Sequence, residues 1–235
     1  MCGRQKTYVI GDIHGTAKAL AQCLQRAGFD YARDRLILLG DVCDRYPDAR
    51  QCIDEMLKIK ECDLVLGNHD LWVLAWSERG EIPEMWLRQG GAQTIASYGG
   101  GPMPRAHIDF LKRGRLWLER GDQLFVHAGF NPELPLSSQS VEDFVWNRGL
   151  FMAAWEKQAA GQDCRFGPYK DIFIGHTPSS RYESLQPLHA CNIWNLDTGA
   201  GWSGKLTIMD VDSKQYWQSD VVTELYGAQR DMLER

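Results

Sequence analysis

The sequence predicts an α/β fold, with a largely parallel sheet under helices and a second, mostly antiparallel part behind it. Three observations lead there. Short apolar runs alternate with segments of helical period along the first third of the chain. The spacing between successive runs is close to the ~30 residues of a βαβ unit. The chain ends in an alternating run, Leu206 to Val211, that turns at Asp212-Ser213-Lys214 into Gln215-Tyr216-Trp217, the pattern of a β-hairpin.

The elements follow in order. Tyr8-Val9-Ile10 reads as a buried strand, and Ala17 to Ala27 as a helix with Leu20, Leu24 and Ala27 on one face. Leu36 to Leu39 is a second strand. Ala49 to Ile59 is a second helix, with Ile53, Met56 and Leu57 inward. Leu64-Val65-Leu66 is a third strand and Leu71 to Ser77 a third helix. Pro83 to Gly114 is helical, with breaks at Gly90-Gly91 and Gly99-Gly100-Gly101. Leu116 to Leu118 and Leu124-Phe125-Val126 are strands. Val141 to Gln158 is a helix capped by Ser140 and interrupted at Gly149. Ile172-Phe173-Ile174 is a further buried strand, and Glu224 to Arg235 a short amphipathic helix or frayed end. With no linker or low-complexity segment, residues 1–235 read as a single domain.

Composition narrows the function. The net charge of -5 argues against a general nucleic-acid binder, which needs a basic surface, but leaves room for a small anionic substrate. No apolar run approaches the ~18 residues of a membrane span. Residues 1–7 are polar and lead directly into a strand, without the apolar core of a signal peptide. The seven cysteines are odd in number and show no CxxC spacing, which favours a reduced, cytoplasmic chain without a disulfide framework.

The chemistry follows the strands. Gly11-Asp12-Ile13-His14-Gly15, Gly40-Asp41-Val42-Cys43-Asp44-Arg45 and Gly67-Asn68-His69-Asp70 come after the first three, and His127-Ala128-Gly129 and Gly175-His176-Thr177 after two later ones. Ligands bind beyond the carboxyl ends of strands in open α/β sheets, so these residues converge on one region. Carboxylate, imidazole and amide donors together suit borderline divalent metals. An Asp after a strand is often only a helix cap, but five such motifs in order exceed what capping explains. His107 and His189 lie outside the motifs and read as surface or packing residues. Cys43 reads as a small buried filler.

These motifs, spanning roughly residues 8 to 200, resemble the phosphoprotein phosphatase branch of the calcineurin-like metallophosphoesterases. The bacterial and phage serine/threonine phosphatases look most similar, through Trp86 to Thr94 and Leu196 to Ala200 as well. The resemblance implies two mixed β-sheets sandwiched between helices and two divalent metal ions, manganese first, with iron or zinc as alternatives. Asp12 and His14 would bind one ion, Asp41 would bridge both, and Asn68, His127 and His176 would bind the second. A hydroxide bridging the metals would attack phosphorus directly. Arg45 would clamp the phosphate, with Arg148 as the second arginine. His69 would protonate the leaving oxygen, held by Asp44. Asp197 matches a family position but is read as structural and kept out of the site. Tyr46 departs from the family, which usually has Gly there.

The function so implied is a phosphomonoesterase acting on phosphoserine, phosphothreonine or phosphotyrosine in proteins. Hydrolysis of diadenosine tetraphosphate, a nucleotide substrate, is the alternative. Two features favour the phosphatase: Asp44, and the stretch Gln89-Gly90-Gly91, which the dinucleotide hydrolases normally lack. An inactive binding scaffold ranks last, because no ligand or acid is missing.

Overall fold

The structure, a computed structural model, describes residues 4–227. The readings of residues 1–3 and of the tail at 228–235 lie outside the described residues. The chain begins as expected, with β1 (Thr7–Ile10), α1 (Ala17–Ala27), β2 (Arg35–Leu38), α2 (Ala49–Met56), β3 (Glu61–Leu64) and α3 (Asn68–Arg79). The middle holds α4 (Glu84–Trp86), a π turn (Leu87–Gly91), α5 (Ala92–Ser97) and α6 (Arg105–Lys112). Then come β4 (Trp117–Arg120), β5 (Gln123–Val126), α7 (Val141–Trp146), α8 (Gly149–Ala159), β6 (Asp171–Ile174), β7 (Leu188–Ala190) and β8 (Ile193–Asn195). The chain closes with β9 (Thr207–Asp210), β10 (Tyr216–Gln218) and α9 (Val222–Tyr226).

Among the described residues the strands form two five-stranded sheets, ordered β10-β9-β1-β2-β3 and β4-β5-β6-β8-β7. Both are mixed. In the first, β1, β2 and β3 run parallel while β9 returns antiparallel beside β1. In the second, β5, β6 and β8 run parallel between antiparallel edges.

Alternation along the strands builds three apolar layers. Tyr8, Ile10, Leu36, Leu38 and Leu64 face the helices of the first sheet. Leu124, Val126, Ile172 and Ile174 pack with α7 and α8 on the second. The residues between them in sequence, including Val9, Ile37, Phe125, Phe173 and Met209, meet in the seam between the sheets. There Phe125 and Phe173 stack with ring centroids 4.9 Å apart. Two sheets back to back with helices outside match the expected architecture.

Several boundaries move, each for a local reason. The third strand starts at Glu61 rather than Leu64, because Arg35 on β2 pairs with Glu61 and Asp63 and so accommodates their charges in the ladder. Leu57, read as inward, lies beyond the end of α2 and is 39% exposed. The break in the 141–158 helix falls before Gly149. Asn147 Oδ1 accepts the N–H groups of Gly149 (2.9 Å) and Leu150 (3.3 Å) and so starts a new helix there.

The cysteine reading also needs correction. Cys164 and Cys191 form a disulfide, with Cα atoms 5.4 Å apart. They are 27 residues apart in sequence, so no short spacing announces the pair. The fold brings them together where the turn before β8 meets the loop after α8. Asn192 fixes the same meeting through its side chain, which bonds the backbone of Phe166 and Tyr169. Cys43 is buried as expected, and burial raises its thiol well above its ordinary value. Among the described residues no helix is long and apolar enough to cross a membrane.

Candidate active site

The motif residues meet where the carboxyl ends of both sets of parallel strands face each other. β1 leads to Asp12 and His14, β2 to Asp41, and Asn68 opens α3. From the other sheet, β5 delivers His127 and β6 delivers His176. His14, Asp41, Asp44, Arg45 and His176 all have left-handed backbone, with φ between 50° and 75°. Residues carrying a Cβ disfavour that region, so the surrounding fold must hold these turns. His14 N–H donates to the Asp41 carbonyl at 2.8 Å, and Tyr46 N–H to the His14 carbonyl at 3.1 Å. Tyr46, in place of the usual Gly, is buried and donates its hydroxyl to the Trp202 carbonyl.

Asp70 locks the scaffold. Its carboxylate accepts the backbone N–H groups of Asp41 (2.8 Å), Val42 (3.0 Å) and Gly67 (2.9 Å), so one buried side chain ties the loop after β2 to the start of α3. Asp70→Ala strands three buried donors, each costing about 1–3 kcal/mol. The expected loss of stability is at least about 3 kcal/mol, read from denaturant unfolding. A loss within 1 kcal/mol would show that water replaces the carboxylate.

Asp41 joins two clusters. Oδ2 lies 3.5 Å from His14 Nε2 and Oδ1 lies 3.6 Å from His127 Nε2. The ligand atoms of His14, Asp41 and His69 fall within 4.8 Å of one another, as do those of Asp41, His127 and His176. His127 Nδ1 donates to the Leu39 carbonyl at 2.6 Å, which leaves a lone pair on Nε2. That atom faces the Asn68 amide at 3.3 Å and His176 Nδ1 at 3.2 Å. His14 Nδ1 likewise donates to the Cys43 carbonyl at 3.1 Å and turns Nε2 toward Asp41. Asp12 stands outside both clusters but lines the same cavity, its oxygens accepting His176 N–H at 3.0 and 3.1 Å.

The electrostatics suit cations. Burial depresses His14, His127 and His176, which favours the neutral imidazole that a metal ion takes as ligand, while the charge of Asp41 pulls His14 and His127 the other way. Burial, then Asp197 and Asp41, push Asp12 well above the usual carboxylate range. Burial pushes Asp41 up as well, but His127, His69 and His14 outweigh it and hold Asp41 at about 2. Crowded carboxylates and converging lone pairs form a donor set that divalent ions would reconcile.

Beside the clusters lies a buried polar chain. Asp44 Oδ2 sits 2.6 Å from His69 Nδ1 and accepts Trp86 Nε1–H at 2.7 Å, while Oδ1 accepts the Thr94 hydroxyl at 2.6 Å. An ionised carboxylate only accepts, so Nδ1 of His69 carries the proton and Nε2 is the free edge. The stretch Gln89-Gly90-Gly91 supports this chain. Gly90, at φ 103°, accepts the Arg45 N–H at 3.2 Å, and a Cβ there would come within 2.3 Å of the Arg45 nitrogen.

A cavity of about 290 Å³ opens onto these groups. Arg45 and Arg148 both line it. The Arg45 guanidinium lies 3.9 Å from the Trp202 ring centre, and Arg148 Nη1 donates to the His176 carbonyl. The sequence reading missed Arg181, Trp202 and Gln89, which also line it. Arg181 sits in a one-turn helix, Ser179–Tyr182, where no motif marks it. Asp197, kept out of the site, is in the cavity wall too, although its Oδ1 also accepts the Gly199 N–H at 3.0 Å in a turn. Another cavity, of about 320 Å³ near Cys62, Phe110 and Arg115, holds none of the motif residues. His107 is buried packing, bonded to Tyr98 (2.9 Å) and Asp54 (3.0 Å), and His189 is an exposed residue stacked on Trp194.

Comparison with known proteins gives a consistent family. The calcineurin-like phosphoesterase profile matches residues 5–200. A symmetrical bis(5'-nucleosyl)-tetraphosphatase of Dechloromonas aromatica is 26% identical, over 91% of this chain and 95% of its own. Its namesake in Pseudomonas fluorescens SBW25 is 31% identical over 73% of this chain and 56% of its own. A solved protein whose diadenosine tetraphosphatase assignment is provisional superposes with TM-score 0.67 at 16% identity, covering 92% of this chain and 94% of that one. These relatives overturn the expectation of a phosphoprotein phosphatase. Asp44 and Gly90, which favoured it, hold His69 and Arg45 in place. The chain belongs to the calcineurin-like phosphoesterase family, whose members use divalent metals.

Proposed function

We propose that the protein hydrolyses dinucleoside tetraphosphates, cutting the phosphate chain at its middle to give two nucleoside diphosphates. The observation that carries this reading is the set of arginines: Arg45, Arg148 and Arg181 line one cavity with the candidate metal ligands. Arg45 and Arg148 suffice for a single phosphate, and Arg181 is in excess of what a phosphomonoester needs. A chain of four phosphates extends beyond the reacting centre and calls for cations along its length. The relatives that span nearly this whole chain carry the name of this activity.

Asp12, His14 and Asp41 would hold one divalent ion, and Asp41, Asn68, His127 and His176 the other. The mixed oxygen and imidazole set suits manganese, with iron or zinc as alternatives. When bound, the ions supply an activated water and neutralise charge on the phosphoryl oxygens. The other tasks fall to side chains. Arg45 and Arg148 orient the reacting phosphate with planar paired donors. With a second proton on Nε2, His69 gives it to the leaving phosphate oxygen and returns to the singly protonated ring, while Asp44 holds Nδ1–H so that Nε2 points at the cavity. Thr94 and Trp86 fix Asp44 in turn.

The test is product analysis. With diadenosine tetraphosphate and manganese, chromatography is expected to show only adenosine diphosphate, two per substrate consumed. Adenosine triphosphate and monophosphate in equal amounts would overturn the symmetrical cut. Faster turnover of a phosphopeptide than of the dinucleotide would overturn the substrate class.

A further inference from the structure

We infer that a groove adjoining the catalytic cavity is the nucleobase subsite for one end of the dinucleotide, an inference that rests on the proposed tetraphosphate substrate. The groove, of about 240 Å³, is walled by Met152 and Trp155 on α8 and by Thr177 and Tyr182 after β6. Arg148 and Arg181 line both this groove and the catalytic cavity. The two spaces therefore share a threshold made of two guanidinium groups. A phosphate chain held at the reacting centre leaves across that threshold, and the ribose and base that follow enter the groove.

The walls have the right chemistry for a flat heterocycle. Met152 is 49% exposed, a large apolar side chain left facing solvent beside two cations. Trp155 and Tyr182 are half-buried, with ring centroids 4.9 Å apart and planes at 54°. Phe151 backs Tyr182 edge-on at 5.4 Å and holds its ring in place. Aromatic faces and a thioether offer stacking and dispersion to a purine. Glu156 lines the same groove and supplies an acceptor for an exocyclic amino group of the adenine type. Among the described residues the Arg181 side chain has no ion pair or hydrogen bond, so its charge is free for a phosphate.

The test separates base from phosphate. Met152→Ala removes the thioether from an exposed helix position without adding charge beside Arg148 and Arg181, and Trp155→Leu removes the larger platform. At fixed free metal, each variant is expected to raise KM for diadenosine tetraphosphate tenfold or more. Each should raise the competitive inhibition constant of adenosine diphosphate in parallel. The constant for inorganic pyrophosphate, which has no base, should stay within twofold. An unchanged KM in both variants, while the wild-type protein splits the dinucleotide, would overturn the subsite and leave the hydrolase reading standing. Equal weakening of both inhibitors would also overturn it, because the damage would then lie at the phosphate site. A wild-type protein that leaves the dinucleotide intact would overturn both readings.

Discussion

Asp41→Asn is expected to lower kcat/KM for diadenosine tetraphosphate by roughly three orders of magnitude, about 4 kcal/mol at 1.36 kcal/mol per decade. The substitution isolates charge from shape. Asp41 has a left-handed backbone at φ 51°, and asparagine tolerates that region better than most residues. The His69 N–H that donates to Asp41 Oδ1 at 3.1 Å keeps an oxygen to bond. The start of α3 is therefore preserved. What changes is the pair of oxygens facing His14 and His127, one of which becomes an amide nitrogen without charge. Residues that merely support a ligand cost 10–100-fold when lost, so the residue shared by both clusters should cost more. The checks are metal content per chain by elemental analysis and steady-state kinetics. Two retained ions with near-normal kinetics would remove Asp41 from the centre of the site.

His69→Asn is expected to slow turnover of the dinucleotide by about 10²-fold, at the low end of what general acids contribute. The low end follows from the leaving group. A nucleoside diphosphate departs through a terminal phosphate whose second pKa is about 6, so it needs little help from a proton. Asp44 keeps two donors, Trp86 and Thr94, after the imidazole is gone, which limits collateral unfolding. A series of aryl phosphates of increasing leaving-group basicity is the check. The deficit should grow along the series. A deficit equal for every member would assign His69 to positioning rather than proton donation.

The sequence made the first half of the fold and the metal-ligand candidates legible because they obey local rules. Strands β1 and β2 are apolar runs, α1 was placed residue for residue, and the motifs sit on the strand ends where a parallel sheet gathers them. The architecture of two sheets followed from the resemblance and from the terminal hairpin. What escaped depends on distant pairs. β7 and β8 have three residues each, too few for a period to register. The Cys164–Cys191 bridge and the arrival of Arg181 beside Arg148 are set by how loops pack. The substrate expectation failed for a related reason: Trp86, Thr94 and Gly90 look like a signature, but they are the props of Asp44 and Arg45, and props carry no information about the far end of a substrate.

The division of the clusters between two sheets gives the site an order in time. Asp12, His14, Asp41 and Asn68 come from the first 68 residues, but His127 and His176 belong to strands of the second sheet. During synthesis β1, β2 and β3 emerge before either histidine of the second cluster, whereas β9, the other neighbour of β1, emerges after both. Only when β6 has paired with β5 in the second sheet does the last imidazole arrive. The cluster of Asp41, His127 and His176 therefore has all its members only after roughly three quarters of the protein exists, and the cavity wall that Arg181, Asp197 and Trp202 complete comes later still.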